Sequence, residues 1–215
     1  MIITAQKPLD EILDFLSPYD SILIAGCDGC TQPPRGLREA KTLAQLLELG
    51  GKLRGKNFNL RATTLPKQCD SYLTLTALQS QIQGIQAILS LACGLGVQTI
   101  TQVLPDCPAF PSQNTLFMGS EIREDNTLEE RCAACGDCML AITGGICPVA
   151  RCAKSLLNGP CGGSQHGKCE IDPGKDCAWD LIIKRLERLG RLAALQEIRT
   201  PRNFGQAVRP GKITE

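Results

Sequence analysis

The sequence has few aromatic residues and no excess of either charge. Among its 215 residues are one Trp, two Tyr and five Phe, which disfavours a site built on base stacking or an aromatic cofactor box. Lysine and arginine together number 23, and aspartate and glutamate 22, so no net field favours nucleic acid or a membrane surface as a partner. Partner binding must therefore depend on local surface.

The sequence also lacks a long apolar run. It shows no charged leader followed by an apolar segment and no stretch of eighteen apolar residues, which predicts a cytoplasmic chain that is neither exported nor membrane-spanning. The cytoplasm keeps thiols reduced. The thirteen cysteines, an odd number, therefore argue against a disulfide framework and for metal binding.

Motifs for chemistry on an organic substrate are missing as well. The sequence has no radical-SAM CxxxCxxC spacing, no GxGxxG or Walker-type phosphate loop and no HExxH. His166 is the only histidine, so a Cys–His or Ser–His–Asp arrangement has no other imidazole to use. We predict no substrate chemistry on this chain. Electron transfer needs none of these residues, because metal clusters alone carry the electrons.

Strand and helix patterns alternate through the first half of the chain. An amphipathic segment from Leu9 to Leu16 precedes the apolar run SILIAGC, which the helical pattern LREAKTLAQLLELGG follows. The pattern continues with FNLRATTL as a strand, residues 74–85 as a helix, AILSLAC as a strand and GLGVQTITQVL as a helix. This alternation predicts an α/β fold with a small, mostly parallel sheet and flanking helices over about residues 20–120.

The composition changes near residue 120. The polar, acidic stretch GSEIREDNTLEE is typical of a linker or of the start of a capped helix. We therefore predict an α/β domain over residues 1–120 and, over residues 121–215, a loop-rich, Cys-rich metal-cluster domain. The second domain ends in an amphipathic helix, CAWDLIIKRLERLGRLAALQEIR, whose apolar residues recur at helical spacing from Trp179 to Leu195. This helix either packs on its own core or docks a partner.

Four of the cysteines follow predicted strands. Cys27 and Cys30 come after the first strand, Cys69 after the second, and Cys93 ends the third. Ligands of open α/β sheets bind at the carboxyl ends of the strands, so we expect these thiols to converge in a four-thiolate site. Another interpretation of Cys93 is a small buried apolar residue. Cys107 has no obvious partner, and burial is the favoured interpretation there.

Eight further cysteines lie between residues 131 and 179. Cys132, Cys135 and Cys138 form CxxCxxC, and three thiolates on one loop suit three corners of an iron–sulfur cubane. Zinc sites usually have two separated pairs of ligands, so the trio favours iron. Two four-cysteine sites account for all eight, and the sequence leaves open which of the following five completes the first: Cys147, Cys152, Cys161, Cys169 and Cys177. The isolated His166 is more typical of a solvated loop residue than of a ligand.

One stretch resembles a known family. CAACGDCMLAITGGICPVARCAKSLLNGPCGGSQHGKCEI, with DCAW and the tail EIRTPRNF, resembles the methylenetetrahydrofolate reductase C-terminal family. LLNGPCGGSQHGKCE is its most specific part. The earlier LSLACGLGVQTI and the CxxC at Cys27 resemble the small iron–sulfur or zinc companion subunit of the acetogen-type reductase, so the likeness covers most of the chain.

The resemblance implies a function and a partner. The companion subunit accompanies a (β/α)₈ catalytic subunit that holds the flavin and the folate and forms methyltetrahydrofolate in the reductive acetyl-CoA pathway. This chain would pass electrons to or from that flavin, with ferredoxin, an NAD(P)H-linked module or a heterodisulfide-reductase-like module as the other partner. It would be a non-catalytic subunit of an oxidoreductase complex, and would contact neither nucleic acid nor membrane.

The resemblance also implies the metal ligands. Two or three [4Fe–4S] clusters, with zinc in one site as an alternative, would be held by the following residues: Cys27, Cys30, Cys69, Cys93, Cys132, Cys135, Cys138, Cys147, Cys152, Cys161, Cys169 and Cys177. Cys107 matches no family position.

Two competing functions remain. In one, the thiolates hold zinc and the chain is a structural docking subunit of the flavoprotein without a redox role. In the other, the chain contributes residues to the folate site. Arg151 and Lys154 are the candidates for a cofactor phosphate or the folate glutamate tail, although a solvated basic surface explains them more simply.

Overall fold

The computed structural model describes residues 1–198, 200–202, 205 and 210–211, and divides the chain into two units, Met1–Phe117 and Met118–Glu215. Among the described residues, no helix has the length and apolar character needed to cross a membrane. Three residues of the tail named above, Arg199, Asn203 and Phe204, lie outside the described residues.

The first unit is built on an entirely parallel sheet. Its strands are β2 (Ser21–Cys27), β4 (Asn59–Leu65), β5 (Ala87–Ser90) and β6 (Ala109–Pro111), in the order β4-β2-β5-β6. The apolar run of β2 is buried from Ile22 onward, as expected for a central strand of a parallel sheet covered on both faces. The predicted α/β class and parallel sheet are confirmed.

Helices cover both faces of this sheet. They are α1 (Leu9–Leu16), α2 (Leu37–Leu53), α3 (Ser71–Leu78) and α4 (Gly94–Val103). Ile22 and Ile24 of β2 pack in one core with residues of α1 and α2. Leu23 and Ala25 point to the opposite face and pack with residues of α3 and α4. The alternation of side chains along β2 thus produces three layers, with the sheet in the middle.

The connections between strands reverse direction at β2. The chain runs from β2 through α2 to β4 on one side, and then through α3 to β5 on the other side of β2. Such a reversal leaves a crevice at the carboxyl ends of the two strands that flank it, here β2 and β5. The thiol-bearing residues after these strands therefore lie beside the place where such folds bind ligands.

Three further strands were not predicted from the sequence. Two of them lie in the first unit, and the third continues into the second unit. β1 (Ile2–Gln6) pairs in parallel with the two-residue β3 (Thr31–Gln32) and lies beside β7 (Gln113–Ile122). Helix α3 also differs from the predicted range of 74–85. It begins earlier because the Asp70 side chain caps it, accepting a hydrogen bond from the Leu73 N–H at 3.1 Å.

The stretch predicted as a linker or capped helix is a β-hairpin. The end of β7, from Met118 to Ile122, pairs antiparallel with β8 (Thr127–Cys132), with Asn126 in the turn at φ 50°. The prediction was wrong because the stretch has many charged residues and so does not show the apolar–polar alternation that is typical of a strand. An antiparallel ribbon with exposed faces tolerates such polar residues.

The Cys-rich part of the second unit contains turns and two helices, α5 (Pro148–Arg151) and α6 (Ala178–Arg188), followed by a 3₁₀ turn at Leu192–Leu195. Trp179, Ile182 and Leu186 of α6 are buried and pack with partly buried neighbours that include Ile146 and Leu156. The single helix predicted from residue 177 onward is interrupted at Gly190, whose φ of 65° is outside the helical region.

Candidate metal centres

The four cysteines of the first unit lie at or after strand ends, although Cys93, predicted to end the third strand, lies three residues beyond β5. Cys27 is the last residue of β2, Cys69 lies four residues beyond β4, and Cys93 precedes the first residue of α4. Cys27 and Cys93 are buried, whereas Cys30 and Cys69 are exposed. Burial raises the pKa of the Cys69 thiol, Lys67 and the local main chain oppose the rise, and Cys93 and Cys27 add to it. Cys27 and Cys93 are therefore close enough to Cys69 to affect its pKa electrostatically.

Cys30 lies in the loop that leaves β2. It is three residues beyond Cys27, and its carbonyl accepts a hydrogen bond from the Ile2 N–H at 2.9 Å. This bond attaches the loop to the start of β1. The main chain of the exposed Cys30 is therefore held in place.

A buried glutamine that the sequence analysis missed connects the strand ends in this region. The Gln68 amide donates to the carbonyls of Ala25 at 2.9 Å and Gly26 at 2.7 Å, and its Oε1 accepts from the Ser90 hydroxyl at 2.6 Å. Gln68 is fully buried, and its carbonyl accepts from the Thr74 hydroxyl. It therefore ties the ends of β2 and β5 together immediately before Cys69. The available signal was a glutamine next to a candidate ligand in LPKQCD.

Four cysteines of the second unit line one cavity. The cavity encloses about 20 Å³, and its wall consists of the following residues: Arg151, Cys152, Lys154, Cys161, Ser164, Cys169, Glu170, Cys177, Ala178 and Trp179. Cys152 directly follows α5 and Cys177 directly precedes α6. Both pack against the small core around Trp179. Cys161 and Cys169 approach from the loop between the two helices.

Polar groups surround the thiols of this cavity. The Gly163 N–H donates to Cys161 Sγ at 3.5 Å, and the Cys161 thiol donates to Glu170 Oε1 at 3.1 Å. Glu170 is ion-paired with Lys154, which lowers the pKa of the Glu170 carboxyl. Arg151 is paired with Glu129 at 2.8 Å. The two basic residues considered for the folate site therefore both have carboxylate partners within the chain.

The CxxCxxC trio occupies a tight loop after β8. Cys132 is the last residue of β8, and the following residues Ala134 and Gly136 have φ values of 48° and 79°. This backbone directs the Ala134 N–H toward Cys132 Sγ at 3.4 Å. Hydrogen bonds from backbone N–H groups to cysteine sulfur stabilise thiolates and help set the potential of iron–sulfur clusters.

Arg202 lies against the same loop. Its guanidinium donates to the carbonyls of Cys135 at 3.2 Å and Asp137 at 3.3 Å, and its side chain is largely buried. Partial burial raises the pKa of the Cys135 thiol, but the hydrogen bonds and charge of Arg202, with the local main chain, outweigh this and lower the pKa below its usual value. The cation therefore favours the thiolate, which is the form that binds metal.

Cys147 lies at the opposite end of α5 from Cys152. It precedes Pro148, the first residue of α5, and its carbonyl accepts from the Arg151 N–H at 3.1 Å. Helix α5 packs against β8, the strand that ends at Cys132. Cys147 thus belongs to a helix that packs on the strand leading into the trio.

The remaining cysteine, Cys107, and the histidine, His166, are not on the wall of the cysteine-lined cavity. Cys107 is partly buried in the core that includes Leu104 and Ile88, and burial raises the pKa of its thiol. His166 is exposed, adopts a φ of 51° in a turn, and is not part of the cavity wall. These placements agree with the interpretations of Cys107 as a core residue and His166 as a solvated one.

The cysteine side chains of the second unit are of the donor type that metal clusters use. In the part of the chain that the structure describes, no three His, Cys, Asp or Glu side chains are arranged as a group for a single metal ion. Four thiolates round a cubane bind four different irons and stand further apart than round one zinc. Four cysteine residues on one cavity wall, with the Gly163 N–H directed at the Cys161 sulfur, fit the ligand type that such a cluster requires.

Comparisons with known proteins give one match. Residues 110–205 match the model of the family described as methylene-tetrahydrofolate reductase C terminal. No curated protein and no solved structure matches the chain significantly. The matched range contains all eight cysteines from Cys132 to Cys177, together with Arg202. Residues 110–205 of this chain are therefore similar to the methylene-tetrahydrofolate reductase C-terminal family.

Proposed function

We propose that this protein is an electron-transfer subunit of a methylenetetrahydrofolate reductase. It passes electrons between a donor, ferredoxin or an NAD(P)H-linked module, and the flavin of a separate catalytic subunit. The observation that carries the proposal is the cavity lined by Cys152, Cys161, Cys169 and Cys177, in a family named for this reductase. When bound, iron–sulfur clusters would supply one-electron carriers.

The residues of the chain would hold the clusters and adjust their electronic properties. The thiols of Cys27, Cys30, Cys69 and Cys93 would bind one cluster at the strand ends, and the eight later cysteines would bind two. Backbone N–H groups of Ala134 and Gly163 are directed at sulfur, which favours the electron-rich reduced state. The guanidinium of Arg202 acts in the same direction on the trio.

Exposure of several thiols supports transfer between proteins. Cys30, Cys69, Cys132, Cys138 and Cys161 are exposed. Clusters bound there would lie near the surface, where a donor or a flavoprotein can approach them. The buried Cys27 and Cys93 would hold the other side of the first cluster against the core of the sheet.

One observation favours a second function. The enclosed part of the cavity is about 20 Å³, which is room for a water or a single ion, so a larger group would have to extend toward the mouth. Zinc in this site would make the chain a structural docking subunit of the same flavoprotein. Such a protein would be colourless and without redox activity.

Metal and acid-labile sulfide content of the anaerobically purified chain, co-produced with its flavoprotein, distinguishes the two functions. We expect about twelve irons, four for each set of four cysteines, and an EPR signal after reduction with dithionite. About eight irons with one zinc would indicate a relay with one structural site. Two or three zincs with little iron would refute electron transfer. Cys107→Ala is the control and should retain all the metal, because Cys107 lies in the apolar core.

A further inference from the structure

We infer that the eight C-terminal cysteines divide between Cys147 and Cys152. Cys132, Cys135, Cys138 and Cys147 bind one metal centre, and Cys152, Cys161, Cys169 and Cys177 bind the other. The inference deepens the proposed function and rests on it only in that these thiols bind metal. The sequence left this division open, because five cysteines follow the trio at irregular spacing.

The second set is defined by the cavity. All four of its cysteines are on the wall, whereas Cys147 and the trio are not. Two of the four, Cys152 and Cys177, also pack against the core formed by Trp179, Ile182 and Leu186. The Trp179 indole N–H donates to the Leu156 carbonyl at 3.0 Å, which fixes the chain that follows Cys152. The wall is therefore attached to the most firmly packed part of the unit.

Helix α5 separates the two sets. Cys147 precedes the helix and Cys152 follows it, so they lie about 7 Å apart along its axis at 1.5 Å per residue. The helix packs on β8, and the ion pair between Arg151 and Glu129 strengthens that contact. Cys152 is on the cavity wall and Cys147 is not. Since α5 packs on β8, the strand that ends at Cys132, we assign Cys147 to the trio.

The alternative division follows the rule of two-cluster bacterial ferredoxins. In those proteins the cysteine before the proline binds the cluster that the preceding trio does not bind. Applied here, the rule would move Cys147 to the second set, which would then have five thiols and leave three for the trio. The cavity wall already contains four cysteines without Cys147, so the structure favours the local assignment.

Pairs of substitutions test the division directly. Cys147→Ala and Cys152→Ala should each remove one of the two C-terminal centres, about four irons if the centre is a cubane. The double variant within one set, Cys152→Ala with Cys177→Ala, should lose no more metal than either single variant. The double variant across the sets, Cys147→Ala with Cys152→Ala, should lose both centres. Metal and sulfide content, with EPR of the reduced full chain, measure the outcome, and Cys107→Ala is the control.

The division is overturned if the Cys147→Ala and Cys152→Ala pair loses only one centre. Zinc in place of iron would count against the proposed electron transfer but would leave this pattern of losses unchanged, so the two failures are distinguishable. If the variants do not fold, the division is tested on the unmodified chain instead. Partial removal of metal with a chelator, followed by alkylation and mass spectrometry, should release Cys152, Cys161, Cys169 and Cys177 together. Release of Cys147 with that group would contradict the inference.

Discussion

The two units place their thiols by different means. In the first unit, cysteines that are up to 66 positions apart, Cys27 to Cys93, lie at or after the ends of strands of one regular parallel sheet, and two apolar cores hold that sheet. In the second unit, most thiols lie on loops or at helix ends, and among the described residues the apolar core cluster has three buried members, Trp179, Ile182 and Leu186. The first unit is held by apolar burial around a regular sheet, whereas the loops of the second unit have little apolar burial, and we predict that they need metal in order to fold.

Removal of metal should separate the two units most clearly. The Cys-rich loops gain little from apolar burial, so we expect their folding free energy to depend on metal–thiolate bonds, as in small metal-held domains. We expect a chelator under anaerobic, reducing conditions to abolish hydrogen-exchange protection in α6 while β2 and β5 keep theirs. If α6 had the same hydrogen-exchange protection with and without metal, the two units would not differ in their need for metal.

The buried glutamine of the first unit should have the next largest effect. Gln68→Leu removes the side-chain hydrogen bonds to the Ala25 and Gly26 carbonyls and from the Ser90 hydroxyl, although the Ala25 carbonyl still accepts from the Leu91 N–H. We expect a loss of about 2–4 kcal/mol in the free energy of unfolding. The N-terminal centre should lose its metal as the strand ends shift. Denaturant unfolding and metal analysis measure the two effects.

Gln98→Leu is the matched control for Gln68→Leu. Gln98 is an exposed residue of α4 whose amide donates only within its own helix, to the Gly94 carbonyl. We expect a change within about 0.5 kcal/mol and full retention of metal. If Gln68→Leu behaved like this control, Gln68 would not position the strand ends.

Arg202 should have the smallest effect, on potential rather than on stability. A cation near a cluster favours its reduced, more negative state, so Arg202→Leu should lower the reduction potential of the trio centre by on the order of 50 mV. Arg202→Lys should recover part of this shift, and Arg188→Leu, on the exposed face of α6, should cause none. EPR-monitored redox titration gives all three values. An unchanged potential in Arg202→Leu would show that the guanidinium only fastens the loop.

The same contrast explains what the sequence could predict. The strands β2, β4 and β5 and the thiols that follow them could be predicted, because apolar runs and helical spacing reflect burial in a regular sheet. β1 and the β7–β8 hairpin were missed, since their residues are partly exposed and show no clear pattern. The division of the eight later cysteines depends on how α5 packs on β8. That contact is tertiary and cannot be inferred from the spacing of the cysteines.

Stopped-flow mixing with the flavoprotein shows whether this chain delivers electrons to a flavin. The chain is reduced with dithionite, freed of excess reductant and mixed anaerobically with the oxidised flavoprotein in a stopped-flow spectrometer. We expect the flavin absorbance to bleach while the absorbance of the oxidised clusters returns. A chain from which the metal has been removed should cause no bleaching. Flavin that stays oxidised beside a fully reduced, iron-loaded chain bound to it would contradict the account.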